Sequence, residues 1–334
     1  MNVQNLNVLD KLIGNTPLIG VKYRLHNQEG IIYVKCEQYN FTGSIKDRIV
    51  LHIIKEAFKE NKLKKGDTIV EATSGNTGIS FAAIGKLAGC DVNIIMPNWM
   101  SEERKRIIQS FGAMITTISR EDGGFISSVA LAKELAEKNS TFFHPDQFSN
   151  IHNVEAQEIT GEEIYNQLKN RCSQIDGFIA GVGTGGTIIG AGRALRKFYP
   201  NIKIHPLEPQ ESPTLSTGYK HGNHRIQGIS DEFIPDIMKL EKTDEIIQVS
   251  DGDSIIMAQK LAYTLGLGVG ISSGANLVGA IMLQQKYGFD SVIATVFPDC
   301  NKKYLSTDLT KNEEVKEHYI APHVELLEVV MVND

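Results

Sequence analysis

The glycine-rich segment Gly183-Thr184-Gly185-Gly186-Thr187 constrains the fold of this chain more than any other stretch. It lies between the apolar run Ile179–Val182 and a helix-like segment, Ile188–Phe198, so a strand, a turn and a helix N-terminus are predicted. Glycines let the backbone approach a ligand, and the unpaired N–H groups and positive helix end attract an anion. The segment therefore predicts a phosphate-binding turn, with two threonine hydroxyls as further donors.

This stretch alone does not identify the ligand that carries the phosphate. Gly181–Gly186 also satisfies the G-x-G-x-x-G dinucleotide pattern, and Glu208 follows at about the spacing of a ribose-binding acid. A dinucleotide, a smaller phosphorylated cofactor and a plain packing turn are the three alternatives. The rest of the chain must decide among them.

Composition limits the class of protein. The 334 residues are 41% hydrophobic, which is enough for two domains with a large core. A net charge of -6 argues against a nucleic-acid partner. Met1–Leu6 lacks a secretory signal pattern, and no apolar run is long enough to cross a membrane. We expect a soluble protein.

The four cysteines are far apart and form no C-x-x-C pair: Cys36, Cys90, Cys172 and Cys300. This spacing favours free thiols in a reducing cytoplasm over disulfides or a zinc site. We therefore expect a cytoplasmic protein and predict no bound metal.

Lys46 is the first candidate catalytic residue. It follows Gly43-Ser44-Ile45 and precedes apolar positions at helical spacing, so Ser44 and Asp47 predict a capping box with Lys46 in the first helical turn. The positive helix end disfavours a second positive charge, which favours a nucleophilic amine. A surface lysine is the alternative.

A second glycine turn, Thr73-Ser74-Gly75-Asn76-Thr77-Gly78, follows the predicted strand Thr68–Ala72 and opens a helix. Its lining is hydroxyls and an amide, which suits a carboxylate better than a triphosphate. The alternative is a turn that only caps its helix.

Strands and helices alternate over most of the chain, which predicts a parallel sheet with helices on both faces and ligands at the carboxyl ends of the strands. The sharpest break lies at 147–154, after Gln147. A long segment from Glu208 to Pro235 has no clear period, and a loop of that length is usually functional. Val324–Val330 is interpreted as an edge strand or a subunit contact.

Taken together, Ser44–Arg48, Thr73–Gly78 and Gly183–Thr187 resemble, in order and spacing, the pyridoxal-phosphate (PLP) enzymes of the cysteine synthase and cystathionine β-synthase family. The resemblance runs from Gly14 to Thr307. It implies fold type II: two open, twisted, mostly parallel sheets flanked by helices, with the active site between two domains. It also implies a smaller mobile domain, 48–152, that binds the substrate carboxylate, and a larger PLP-phosphate-binding domain, 1–47 with 153–334.

The resemblance also assigns roles. Lys46 would form the Schiff base, and Asn76 would bond the pyridine hydroxyl. Cys300 matches a position where the family usually has a serine that meets the pyridine nitrogen. A thiol is a weaker partner, and the alternative for Cys300 is a small buried residue at a strand end. The cofactor phosphate would be bound by Gly183, Thr184, Gly185, Gly186 and Thr187. The substrate would be bound by Thr73, Ser74, Thr77, Gln147 and Gly228.

The implied reaction is replacement or elimination at the β-carbon of L-cysteine or O-activated L-serine through an aminoacrylate, with sulfide or a thiol exchanged. The segment Gly228–Pro235 departs from the small residues usual in cysteine synthases, because it carries Asp231 and Glu232. These acids are either solvated loop carboxylates or catalytic groups near the aminoacrylate.

Three alternatives remain at this stage. The enzyme either synthesises cysteine or consumes cysteine, releasing hydrogen sulfide and giving serine or a thioether amino acid. A NAD-type oxidoreductase is a more distant alternative, since it leaves Lys46 and Thr73–Gly78 without a role. A non-catalytic binding partner would have no need for Lys46. The resemblance implies a homodimer with small amino-acid substrates.

Overall fold

A computed structural model describes residues 3–332 of the chain. Within that range the strands are β1 Leu18–Leu25, β2 Gln28–Cys36, β3 Thr68–Ala72, β4 Asp91–Pro97, β5 Met114–Ile118, β6 Phe142–Phe143, β7 Gly177–Gly181, β8 Lys203–Pro209, β9 Ile247–Val249, β10 Ile293–Phe297 and β11 Glu325–Met331. The helices are α1 Lys46–Lys59, α2 Asn76–Leu87, α3 Glu102–Ser110, α4 Gly124–Lys138, α5 Ile151–Leu168, α6 Gly186–Phe198, α7 Thr214–Thr217, α8 Asp251–Leu265 and α9 Ile271–Tyr287. The 3₁₀ helices are Val3–Lys11, Glu37–Tyr39, Asp236–Lys239, Asn301–Lys303, Asp308–Thr310 and Ala321–His323.

The chain divides into two compact units. The first contains residues 3–14 and Asn40–Ala156, and the second contains Asn15–Tyr39 and residues 157–332. The sequence had assigned all of 1–47 to the larger domain. The boundaries differ because Leu6, Leu9 and Ile13 pack into the core of the first unit, whereas β1 and β2 belong to the sheet of the second.

The first unit is built on a four-stranded parallel sheet of order β5-β4-β3-β6. The two central strands, β3 and β4, are mostly buried, as expected where helices cover a parallel sheet on each side. Ile69 and Ile94 belong to one core cluster with Ile49 of α1 and Phe81 of α2, while Val70 and Ile95 belong to another with Ala132 of α4. This sheet holds β3 so that its carboxyl end leads into the Thr73–Gly78 turn.

The second unit has a seven-stranded sheet of order β11-β1-β2-β10-β7-β8-β9. The pairings from β2 to β9 are parallel, whereas β1 pairs antiparallel with both β2 and β11. The predicted edge strand near the C-terminus is therefore confirmed as β11. Gly181 lies opposite Leu207, so β7 delivers the glycine turn to the carboxyl edge of the sheet.

The predicted fold class is confirmed: both sheets are mostly parallel and flanked by helices. β3 runs from Thr68 to Ala72 as predicted, and the other predicted strands and helices are present with shifted ends. Among the described helices, none combines the length and apolarity that a bilayer span requires.

Candidate functional site

Lys46 is the first residue of α1, as predicted. The predicted capping box is wrong in detail: the N-cap is Ile45, which has no side-chain cap hydrogen bond. The Ser44 hydroxyl accepts from the Lys46 N–H at 3.3 Å, and Asp47 accepts from the Thr42 N–H and the Ser80 hydroxyl, each at 2.6 Å. Hydrogen bonds on both sides of Lys46, to Ser44 before it and to Asp47 after it, therefore fix the start of α1.

The Thr73–Gly78 turn joins β3 to α2, and its conformation is set by side-chain hydrogen bonds. The Gly75 N–H donates to Thr73 Oγ1 at 3.1 Å. The Thr77 hydroxyl donates to Gln147 Oε1 at 2.8 Å, and Gln147 Nε2 donates to the Ala72 carbonyl at 2.8 Å. The structure thus brings Gln147 against a turn 70 residues earlier in the chain.

Three of these predicted substrate-binding side chains are buried: Thr73, Thr77 and Gln147. Ser74 and Asn76 are half-buried. Because Asn76 begins α2, the amide lies at the positive end of a twelve-residue helix. The turn therefore combines hydroxyl, amide and helix-end donors, which is the chemistry that recognises an anion.

The buried carboxylate of Glu71 binds the backbone of Gln147. Glu71 accepts from the Gln147 N–H at 3.2 Å, and the His144 Nε2 lies 3.6 Å from its other oxygen. Burial acts to lower the pKa of His144, but the hydrogen bond and charge of Glu71 outweigh it, so the pKa is raised. Glu71 therefore fixes the backbone of Gln147 while the Gln147 side chain contacts the turn.

In the second unit, the Gly183–Thr187 turn joins β7 to α6. Gly185 is the N-cap of α6 with φ of 84°, a left-handed conformation that favours glycine. A Cβ on Gly183 would lie 2.4 Å from the Gly228 carbonyl oxygen. The turn is therefore shaped by glycine at two positions, and it packs directly against the segment that carries Asp231 and Glu232.

That second segment is tied to the turn by backbone hydrogen bonds. The Ser230 N–H donates to the Val182 carbonyl at 2.7 Å, and Ser230 has φ of 53°. The ring of His224 contacts the Ser230 carbonyl at 3.0 Å. Burial lowers the pKa of His224, so its neutral ring donates this bond. The loop is therefore held at Ser230, directly before Asp231.

The two acids of the loop differ in their surroundings. Glu232 forms an ion pair of 2.5 Å with Lys220 in the same unit. Asp231 is half-buried and follows the residue that is bonded to β7. Asp231 is the candidate for acid–base chemistry whose backbone is fixed more directly, because it follows Ser230, which is bonded to Val182 and His224.

Cys300 follows β10, is half-buried, and forms a single antiparallel bridge with Val269. Sequence reasoning missed a second candidate at the same edge of the sheet. Ser273 lies in the first turn of α9, and its hydroxyl is buried without a hydrogen-bond partner among residues 3–332. One turn later, Asn276 accepts from the Gly181 N–H and donates to the Val296 carbonyl, each at 2.8 Å. Asn276 therefore ties this end of α9 to β7 and β10.

Glu208, the residue that suggested a dinucleotide, has a structural role. Its buried carboxylate accepts from the Leu215 N–H at 2.7 Å, from Gln248 Nε2 at 3.1 Å and from the Ser216 hydroxyl. It thereby caps α7. These hydrogen bonds give Glu208 a structural role that does not involve a ribose.

Comparison with known proteins gives consistent results. A model of the family described as pyridoxal-phosphate dependent enzyme matches residues 9–299. Cysteine synthase B of Campylobacter jejuni is 43% identical over 303 residues, covering 90% of this chain and 97% of that protein. Cysteine synthase of Staphylococcus aureus is 40% identical over 302 residues, covering 90% and 96%.

Among solved structures, the hydrogen sulfide-producing enzyme Fn1055 of Fusobacterium nucleatum superposes with a TM-score of 0.95 at 54% identity, covering 99% of this chain and 100% of that chain. An aspartate-to-asparagine variant of Fn1055, solved in complex with an α-aminoacrylate intermediate, matches at the same TM-score and identity. With the family match, these similarities show that the chain belongs to the pyridoxal-phosphate dependent enzymes of the cysteine synthase family.

Proposed function

We propose that this PLP-dependent enzyme consumes L-cysteine, releases hydrogen sulfide, and adds water or a thiol at the β-carbon. The observation that carries this direction is the acidic segment bound to the end of β7: Ser230 donates to Val182, and Asp231 follows directly. The similarity to a hydrogen sulfide-producing enzyme over nearly the whole chain supports it.

The residues present fit the cofactor. The Gly183–Thr187 turn offers backbone donors at the start of α6 where a Cβ would fill the space, and Ser273 offers a buried hydroxyl that needs a partner. A phosphate and a ring nitrogen are the groups that such donors bind. We infer that Gly183, Thr184, Gly185, Gly186 and Thr187 bind the phosphate and that Asn76 contacts the ring hydroxyl.

The ring nitrogen has two candidate partners, Cys300 and Ser273. A hydroxyl is the stronger hydrogen-bonding group, and that of Ser273 has no partner in the structure. We therefore infer that Ser273 makes this contact. A neutral hydroxyl or thiol, unlike a carboxylate, limits delocalisation of charge into the ring and so favours loss of the β-substituent.

PLP supplies an electron sink for the α-carbon when it is bound. The protein's own groups supply the rest. The Lys46 amine would attach the cofactor, then hold the α-proton after exchange with the substrate amine. Thr73, Ser74, Thr77 and Gln147 would orient the substrate carboxylate, with Gly228 leaving room beside it. Asp231 would remove a proton from the incoming water or thiol.

The Gly183–Thr187 turn allows a direct test of cofactor binding. Replacing Gly183 by alanine should weaken PLP binding by at least about tenfold, because the new Cβ would collide with the Gly228 carbonyl and displace the turn. The bound cofactor can be measured by absorbance after dialysis. Gly218→Ala is the matched control, because its φ of 83° strains an added side chain while no described atom lies within 4 Å of the new Cβ, so it adds backbone strain without a collision. Equal cofactor retention in both variants would contradict the role of the turn.

The second candidate function is cysteine synthesis from an O-activated serine and sulfide, favoured by the curated relatives at 40–43% identity. Steady-state rates separate the two directions. We expect kcat/KM for sulfide release from L-cysteine to exceed kcat/KM for cysteine formation from O-acetylserine and sulfide. The reverse ratio would make cysteine synthase the function.

We also propose that the enzyme is a homodimer acting in the cytoplasm. The four free cysteines support a reducing compartment, since Cys36 and Cys90 are buried and their thiol pKa values are raised by burial to about 12 and about 11. Light scattering of the purified protein measures the mass of the assembly.

A further inference from the structure

Two histidines and a glutamate converge in the first unit, and none of the three is assigned above to the cofactor or the substrate. His52 lies on α1, and His152 and Glu155 lie in the first turns of α5. His152 Nδ1 is 2.7 Å from Glu155 Oε2, and His52 Nε2 is 3.1 Å from the same oxygen. The two rings are edge to face with centroids 5.8 Å apart. Two imidazoles from different helices therefore share one carboxylate oxygen.

This group has the donor chemistry of a transition-metal site. One ligand atom from each of the three residues lies within 4.8 Å of the others. Imidazole nitrogen and carboxylate oxygen are ordinary ligands of Zn²⁺, and a His₂Glu set with a water in the fourth position is a known zinc arrangement. Bond lengths of about 2.0–2.1 Å place tetrahedral ligand atoms roughly 3.3 Å apart. The two nitrogen-to-oxygen distances, 2.7 and 3.1 Å, lie close to that spacing.

A fourth residue supports the group from outside. The other ring nitrogen of His152, Nε2, lies 3.5 Å from Glu60 Oε1. Metal-binding histidines characteristically donate their second N–H to a carboxylate, which fixes the ring orientation and tautomer. The contact pattern is thus that of a ligand with its outer carboxylate.

The three side chains are also partly accessible to an ion from solvent. The side chains of His52, His152 and Glu155 are 26%, 18% and 44% exposed. An ion can therefore reach the group from solvent, while both rings remain packed against their helices. One oxygen of the Glu155 carboxylate already faces both imidazole nitrogens, which is the position that a third ligand would take.

We propose that His52, His152 and Glu155 form a binding site for a divalent first-row transition-metal ion of the Zn²⁺ type, with Glu60 as the outer carboxylate of His152. The site is independent of the proposed function, because none of its residues is assigned to cofactor or substrate. Bound metal would join α1 to the first turns of α5. Sequence spacing could not predict it, since His52 and His152 are 100 positions apart.

Cobalt titration of the chelator-stripped holoenzyme tests the proposal. Tetrahedral Co²⁺ with nitrogen and oxygen ligands gives visible d–d bands without the sulfur charge-transfer bands of a cysteine site. We expect one Co²⁺ per chain, displaced by Zn²⁺. His52→Gln and His152→Gln should each weaken binding by more than about tenfold, and Glu60→Gln by about 10–100-fold through the outer contact.

His26→Gln is the matched control, because its ring faces His323 at 6.2 Å outside this group and it should bind Co²⁺ like wild type. Lack of saturable binding to the wild-type protein would overturn the proposal, as would sulfur charge-transfer bands or equal affinities in His52→Gln and His26→Gln. The wild-type spectrum decides the matter even if a variant fails to fold.

Discussion

Replacing Lys46 by alanine should abolish turnover, with kcat lowered by at least roughly 10⁴-fold, the upper range for a positioned acid or base. Two functions would be lost together. The side chain would no longer attach the cofactor covalently, and no amine would exchange protons with the α-carbon. The backbone position of Lys46 is set by Ser44 and by the Asp47 contacts with Thr42 and Ser80, so the substitution should leave α1 in place.

Borohydride reduction followed by mass spectrometry separates attachment from catalysis. In the wild-type protein the reduced cofactor should be found on the peptide that contains Lys46. In the alanine variant it should be absent from that peptide, although the Gly183–Thr187 turn can still retain some cofactor without a covalent bond. This distinguishes a lost nucleophile from a misfolded protein.

Lys59→Ala is the matched control. Lys59 ends the same helix, is exposed, and pairs only three residues away with Glu56 at 2.6 Å. It should keep wild-type activity and attachment. Normal turnover by Lys46→Ala, or reduced cofactor recovered on another lysine of the wild-type protein, would refute the assignment.

The alternation of apolar strands and amphipathic helices was enough to predict the fold class, because parallel strands buried on both faces have strong local patterns. β3 and β10 are examples: four of five residues in the first and all five in the second are buried. The glycine turns were also predictable from local sequence. A left-handed backbone, as at Gly185, favours glycine, and the glycines are visible in the sequence.

What could not be predicted depends on contacts between distant residues. Glu208 matched a dinucleotide pattern, but its hydrogen bonds to Leu215 and Gln248 are visible only once α7 and β9 are positioned. Ser273 was missed because sequence does not reveal which buried hydroxyl lacks a partner. The Ser-Ser-Gly start of α9 was the available signal, as it opens a helix after a strand-like segment.

The boundaries of the two units could not be predicted from the sequence either. Residues 3–14 and Asn40–Ala156 are separated by β1 and β2, which cross into the other unit's sheet. The segment between Asn15 and Tyr39 shows no break in composition at either end. Only the packing of Leu6, Leu9 and Ile13 into the first core reveals the division.

Asp231→Asn should leave formation of the aminoacrylate intact and slow its onward reaction by roughly 10²–10⁴-fold, the contribution typical of a general base. The amide keeps the shape of the side chain but cannot accept a proton from water or a thiol. Ser230, bonded to Val182 and His224, holds the preceding backbone in both forms of the protein. The neutral variant would also cease to repel hydrosulfide, an anion, so re-addition of sulfide should increase.

Glu232→Gln is the matched control for that experiment. Lys220 already neutralises Glu232, so this substitution should leave decay of the aminoacrylate close to the wild-type rate. Stopped-flow spectra after mixing each variant with L-cysteine measure both formation and decay. The similar Fn1055 variant in which asparagine replaces an aspartate was solved with an α-aminoacrylate intermediate, which supports accumulation as a feasible readout.

If decay in Asp231→Asn matched the wild type, Asp231 would be a surface charge, and the cysteine-consuming direction would lose its principal structural support. Slow decay in Asp231→Asn alone would assign the base to that one carboxylate, because the two variants remove equal charge at adjacent positions of the same loop.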